Sequence, residues 1–168
     1  LQENGLFPMF GSLDPQSKYT AMVVSLEAAP SADIFSENYK IFLSIIKIIS
    51  KYHTDIIPFF DISTLTFLFI HDRTVSDNAA NSAVLNISEA VCDYLNFTDG
   101  IKYIIGIGKC MSTLKNAPYS YNGATDALSY SFYLGFNTVI CIDDVEPKQN
   151  SVDYFKFYDE GFLNHVKV

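Results

Sequence analysis

Arginine is nearly absent: Arg73 is the only one in 168 residues, and the formal net charge is −8. Proteins that grip nucleic acid neutralise phosphates with Lys and Arg, so this chain is not expected to hold DNA by itself. Cysteine is scarce too. Cys92, Cys110 and Cys141 are odd in number, widely spaced and free of any C-x-x-C pair. That argues against a disulfide framework or zinc site and suits a reducing cytosol, with the three read as small buried hydrophobes. No apolar run reaches the ~18 residues of a membrane span, and there is no signal peptide. The glycosylation-like triplets Asn86-Ile87-Ser88 and Asn96-Phe97-Thr98 are therefore read as chance matches. Because the first residue is Leu1 rather than Met, the chain is expected to be a piece of a longer protein.

What is present is a packing composition, 49% hydrophobic and 15% aromatic. A chain of this size buries roughly 70% of its unfolded surface, enough for a core without staples. One globular domain is the expectation, with no internal repeat.

Residues 1–17, with Gly5, Pro8, Gly11 and Pro15, read as an arm or linker. Thr20 to Glu27 (TAMVVSLE) has no polar face, which predicts a central strand covered on both sides. A helix from about Asp33 or Ser36 to Tyr52 lines Phe42, Ile45, Ile46, Ile49 and Tyr52 on one face. Ile41, Leu43 and Ile48 lie off that stripe and suggest a second face for a partner. Two strands follow, Asp55–Asp61 and Thr64–His71, around a tight turn near Ile62-Ser63. Pro58 places the first at a sheet edge. In the second, Leu65, Phe67 and Phe69 share a face.

Asp77 is the expected N-cap of a helix running from about Asn78 to Asn96, with Ala80, Val84, Ile87 and Val91 at helical spacing. Lys102–Ile107 reads as a buried strand. A helix follows whose expected stripe is Ala117, Tyr121, Ala124, Leu128 and Phe132, stopped by Gly135. Thr138–Ile142 is the next strand, closed by Asp143 and Asp144. Residues 147–168 are expected to form a terminal helix or linker after a domain spanning 18–146. The fold class is α+β. A ferredoxin-like βαββαβ core, sheet order 4-1-3-2, is extended by an αβ unit.

Gly106-Ile107-Gly108, Ser120-Tyr121, Ala124, Ala127-Leu128, Tyr130, Phe132 and Gly135, then a short strand and an Asp, form an ordered set. It resembles the middle domain of AraC-type two-component response regulators, which lies between a receiver and a helix-turn-helix region. That domain is itself similar to a degenerate GGDEF domain, and a related signature occurs in the sugar-diacid and purine-catabolism regulators. The close match covers about a quarter of the chain. The resemblance implies a nucleotide-cyclase-like fold and a cytoplasmic role in signal transmission for transcription regulation. It also implies receiver and helix-turn-helix partners in the same full-length chain, with DNA bound only through the latter.

The residues themselves carry little chemistry. A GGDEF cyclase needs acidic Mg²⁺ ligands at the end of the first strand, and only Glu27 stands there. It also needs a glycine-rich acidic hairpin, where this chain reads Phe60-Asp61-Ile62-Ser63-Thr64. Asp61 is read as a turn residue bonding its own backbone. The lone Gly106-x-Gly108 lacks a third glycine and is read as bending the chain out of a strand. His71-Asp72 is read as a solvated loop, since neighbours on a strand end point apart. Ser120 is read as bonding back to a helix carbonyl. The expectation is therefore no catalysis, no cofactor, no metal and no assigned site residue. A weak homodimer is expected through the over-wide first helix. The aromatic-rich helix around Tyr121, Tyr130, Phe132, Tyr133 and Phe136 is either packed on the sheet or an interface.

Overall fold

The computed structural model describes residues 15–28 and 33–145. Expectations for residues 1–14 and 146–168, the terminal helix among them, lie outside the described residues.

The element order begins β1 (Lys18–Ala28), α1 (Ile34–Ile49), β2 (Ile56–Phe60) and β3 (Thr64–His71). It continues with α2 (Asp77–Asn96), β4 (Ile101–Ile107), α3 (Ala117–Ser129), α4 (Ser131–Leu134), β5 (Thr138–Cys141) and α5 (Ile142–Val145). Five strands form one sheet in the order β2-β3-β1-β4-β5. All pairings are antiparallel except β4 with β5. This is the expected ferredoxin-like core with one added strand. The Pro58 strand is at the edge, and in the central strand Ala21, Met22, Val23 and Val24 are fully buried.

Side-chain alternation sends the two faces of β1 into different cores. Met22, Val24 and Leu26 join Leu65, Phe67 and Phe69 of β3 and Tyr103, Ile105 and Ile107 of β4 beneath α1 and α2. On that side α2 buries Ala80, Val84, Ile87, Val91 and Leu95, the periodicity read from the sequence. Its N-cap is Ser76 rather than Asp77. Ser76 has extended backbone and its hydroxyl accepts from the Ala79 N–H at 3.2 Å. Asp77 lies in the first helical turn and pairs with Lys18 at 2.7 Å.

Helix α1 buries Asn38, Ile41, Phe42, Ile45 and Ile49. Leu43 and Ile48 pack partly against the same core, so these residues do not form the free second face expected for a partner. Tyr52 lies beyond the helix end and is exposed.

The opposite sheet face carries α3, packed on β1 and β4. The expected stripe holds at Ala117 and Ala124 and in part at Leu128, and fails at Tyr121 and Phe132. The buried residues of α3 are Ala117, Ser120, Ala124 and Ala127, while Leu128 is half-buried and Tyr121 and Phe132 are exposed. The helix also ends at Ser129, before the short α4. The cause is backbone contact. A Cβ at Gly106 would stand 2.0 Å from the Ala124 carbonyl oxygen, and one at Gly108 only 1.8 Å from that of Ser120. These glycines do not bend the chain out of the strand; they let the helix backbone rest on β4. Large residues cannot fit in that seam, so small ones face inward and the aromatics turn out. Gly135 then ends α4 with φ +84°, the left-handed region that glycine tolerates. Ile142, expected to end β5, instead opens α5, which holds Asp143 and Asp144.

Ser120 does not bond back to its own helix. Its buried hydroxyl accepts from the Ala21 N–H at 2.8 Å, on the side of β1 where β4 has ended at Ile107. Ser120→Ala should cost about 1–3 kcal/mol by leaving a buried donor unpaired. A denaturant midpoint equal to wild type would show that another group satisfies it. Gly108→Ala should cost about 1–3 kcal/mol or more through overpacking. Gly123→Ala meets Ile142 Cγ2 at 3.4 Å, Gly108 Cα at 3.7 Å and Ile142 Cγ1 at 3.8 Å, all ordinary contacts, and should be neutral or stabilising by about 0.4–1 kcal/mol. Equal midpoints for the two glycine variants would refute the backbone seat.

Candidate functional site

The end of β1 and the β2–β3 hairpin lie together. Asp61 and Thr64 exchange backbone hydrogen bonds at 3.0 and 3.3 Å, leaving Ile62-Ser63 as a two-residue tip. The tip is tied to β1 by Leu26 N–H, which donates to the Ser63 carbonyl at 2.9 Å. It is tied to α1 by Asn38 Nδ2, which donates to the Ile62 carbonyl at 2.6 Å. Asn38 is buried, and its Oδ1 has no partner among the described residues. Sequence reasoning missed this residue. The signal was a polar side chain three and four positions before Ile41 and Phe42, hence on the buried stripe.

Glu27, the residue after Leu26, is exposed. The Asp61 carboxylate accepts from the Ile62 N–H at 2.8 Å, the turn role expected of it. Ile62 is 52% exposed at the tip. Among the described residues no group of three or more His, Cys, Asp or Glu converges to hold an ion. One carboxylate at the strand end does not supply the several oxygens that a hard divalent cation takes from a protein site. The aromatic cluster beside this end is structural: Phe60 packs against Phe35, Tyr39 and Phe42 with centroids 5.2 to 5.3 Å apart.

The other residues weighed for chemistry are scattered. Cys92, Cys110 and Cys141 are free and half-buried. Burial, with Asp144 and Asp143 adding to it, pushes the Cys141 thiol up to about 11, the opposite of an activated nucleophile. His71 is not in a solvated loop. It ends β3 at 5% exposure, with its ring 5.1 Å from that of His53. Asp72 is the exposed neighbour, its carboxylate accepting from Thr74 N–H and Oγ1 at 2.8 and 2.7 Å. The two side chains point apart, as the strand end requires.

No family model and no curated protein matches the sequence. Solved structures do resemble it. One is the active GGEEF domain of a diguanylate cyclase from Vibrio cholerae, with 9% identity, TM-score 0.49, and coverage of 74% of this chain and 83% of that one. Another is an EAL/GGDEF domain protein from M. capsulatus, with 12% identity, TM-score 0.51, and coverage of 80% and 89%. The fold is GGDEF-like. At such identities the likeness speaks for the fold alone.

It nevertheless corrects one expectation. The chain was expected not to be an enzyme, and its fold is that of the EAL/GGDEF domain protein it resembles at TM-score 0.51. A GGDEF-like fold is a cyclase-type fold, so the missing Gly-Gly and acidic pair in the hairpin do not decide against catalysis. Among the described residues no helix is long and apolar enough to cross a membrane.

The buried histidine gives a pH prediction. Desolvation first, then His53 and Lys18, lowers the His71 pKa from 6.5 to about 4. Between those values the unfolded chain binds more protons than the folded one, so stability rises with pH. Stability from His71 should thus be full above about 6.5 and fall as the pH drops toward 4. Denaturant midpoints at pH 7.5 and pH 5 should differ less in His71→Gln than in wild type. An unchanged difference would remove His71 as the cause.

Proposed function

We propose that the chain is a signal-transmission domain of a two-component response regulator of AraC type, with contact between domains or chains as its working step. The observation that carries this reading is the segment after α3. Phe132, Tyr133, Leu134 and Phe136 are 88%, 81%, 58% and 47% exposed within five positions. Exposed apolar residues grouped this closely mark interaction sites in soluble proteins, and aromatics dominate interface energetics. Lys102 lies over the Phe136 ring at 5.1 Å, which braces one of the four from β4. The contact thus moves from α1, whose Ile41, Leu43 and Ile48 are taken up by the core, to α4 and its exit. Its partners are a receiver and a helix-turn-helix region of a longer chain, and a second copy.

Sedimentation across concentration and ionic strength tests the second copy. With a net charge of −8, two chains repel and association should tighten as salt screens them. The double variant Phe132→Ser, Tyr133→Ser should weaken association about tenfold or more. A wild-type chain that stays monomeric at high concentration and salt, or a double variant that associates as well, would reject this surface.

A second reading, nucleotide chemistry at the end of β1, is favoured by the cyclase-type fold and by the unpartnered Oδ1 of buried Asn38 beside the hairpin tip. Incubation with GTP and magnesium tests it. Pyrophosphate release that disappears in Glu27→Gln would support it. No release from wild type would exclude it.

A further inference from the structure

Among the described residues, the placement of α3 leaves part of its own sheet face uncovered. The helix packs on β1 and β4, and next to it over β3 and β2 lies a groove of ≈ 520 Å³. Its floor is Ala21, Thr66 and Leu68, where Ala21 and Leu68 are register partners across β1 and β3. Phe59 and Tyr121 line it, 55% and 43% exposed, and Asp61 stands at the hairpin end. The volume is that of a small-molecule site. The groove combines a largely apolar lining, two aromatic rings and threonine hydroxyls with a single charged group, the Asp61 carboxylate. Among the described residues no Lys, Arg or His lines it. Phosphorylated or carboxylate ligands would therefore bring negative charge to a groove that holds only negative charge.

We propose that this groove binds a small arylalkylamine, its planar ring on the apolar floor and its alkylammonium against Asp61. One carboxylate oxygen of Asp61 already accepts the Ile62 N–H at 2.8 Å, and the other remains to take an ammonium donor, a charge-assisted bond. The site is separate from the 132–136 contact surface and stands without it. For an open groove and a ligand of about a dozen heavy atoms, the dissociation constant should be on the order of 1 mM.

The probe is tryptamine, with indole-3-acetate as the same ring carrying the opposite charge. Amide chemical shifts are followed during titration of the ¹⁵N-labelled chain. The expected result is saturable movement centred on Thr64, Thr66, Leu68 and Tyr121 with tryptamine. Affinity should be about fivefold weaker in Asp61→Asn and lost in Thr66→Phe, which fills the floor. Thr66→Phe adds an aromatic to a strand, a type that strands accept, and if it fails to fold, Asp61→Asn still decides the matter. No saturation by tryptamine, equal binding of indole-3-acetate, unchanged affinity in Asp61→Asn, or movement centred elsewhere would each overturn the proposal. So would groove amides that shift with protein concentration alone, because a second copy would then occupy the face.

Discussion

The structure depends on a helix resting backbone to backbone on a strand. The carbonyl oxygens of Ser120 and Ala124 occupy the places where side chains would stand at Gly108 and Gly106. Once that contact exists, the inward face of α3 must be small, and Ser120, Ala124 and Ala127 provide it. The Ser120 hydroxyl then completes the hydrogen bonding of β1 at Ala21. The seat also sets what α3 leaves uncovered. It lies over β1 and β4, so among the described residues the sheet face toward β2 is uncovered on one side, and the aromatic residues after α3 are exposed on the other.

The sequence was legible where side chains fill space and misleading where backbone does. Pro58 marked an edge strand because proline cannot donate to a ladder, and the run Ala21 to Val24 marked a central one. In α2 large apolar residues meet the sheet, so periodicity identified Ala80, Val84, Ile87 and Val91. In α3 the same rule found Ala117 and Ala124 but favoured Tyr121 and Phe132 over Ser120 and Ala127, because it ranks residues by apolar bulk. The correct signal was the pair Gly106 and Gly108 read together with the small residues of the next helix. Neither half is informative alone. Asp77 was expected as the cap because its residue type caps; Ser76, one position earlier and of a type that also caps, does so instead, and Asp77 pairs with Lys18.

The hairpin end shows a second limit. Glu27 and Asp61 were found because acids at a strand end and a turn are conspicuous. Asn38 was not, because one amide among isoleucines looks like an exception to a stripe rather than part of it. Its bond to Ile62 fixes how the hairpin tip meets α1 and β1. His71 was read as part of a solvated loop for a similar reason, since its burial and its neighbour His53 arise from contacts across the chain. Groups whose role comes from such long-range meetings leave only a faint local mark. The GGDEF-like fold gives these meetings a frame, and the exposed segment and the open groove lie toward opposite edges of one sheet, with α3 running between them.

The most direct test of this account is native-state hydrogen exchange at the seam. The amides of Ala21, Gly108, Ala124 and Ala127 are followed in increasing sub-denaturing denaturant. If the backbone seat holds the domain together, all four exchange only through global unfolding, with the same free energy and the same denaturant dependence as the core of β1. If Ala124 and Ala127 exchange through a separate opening of much lower free energy, α3 is an attachment rather than the support of the fold. The account built on it would then be wrong.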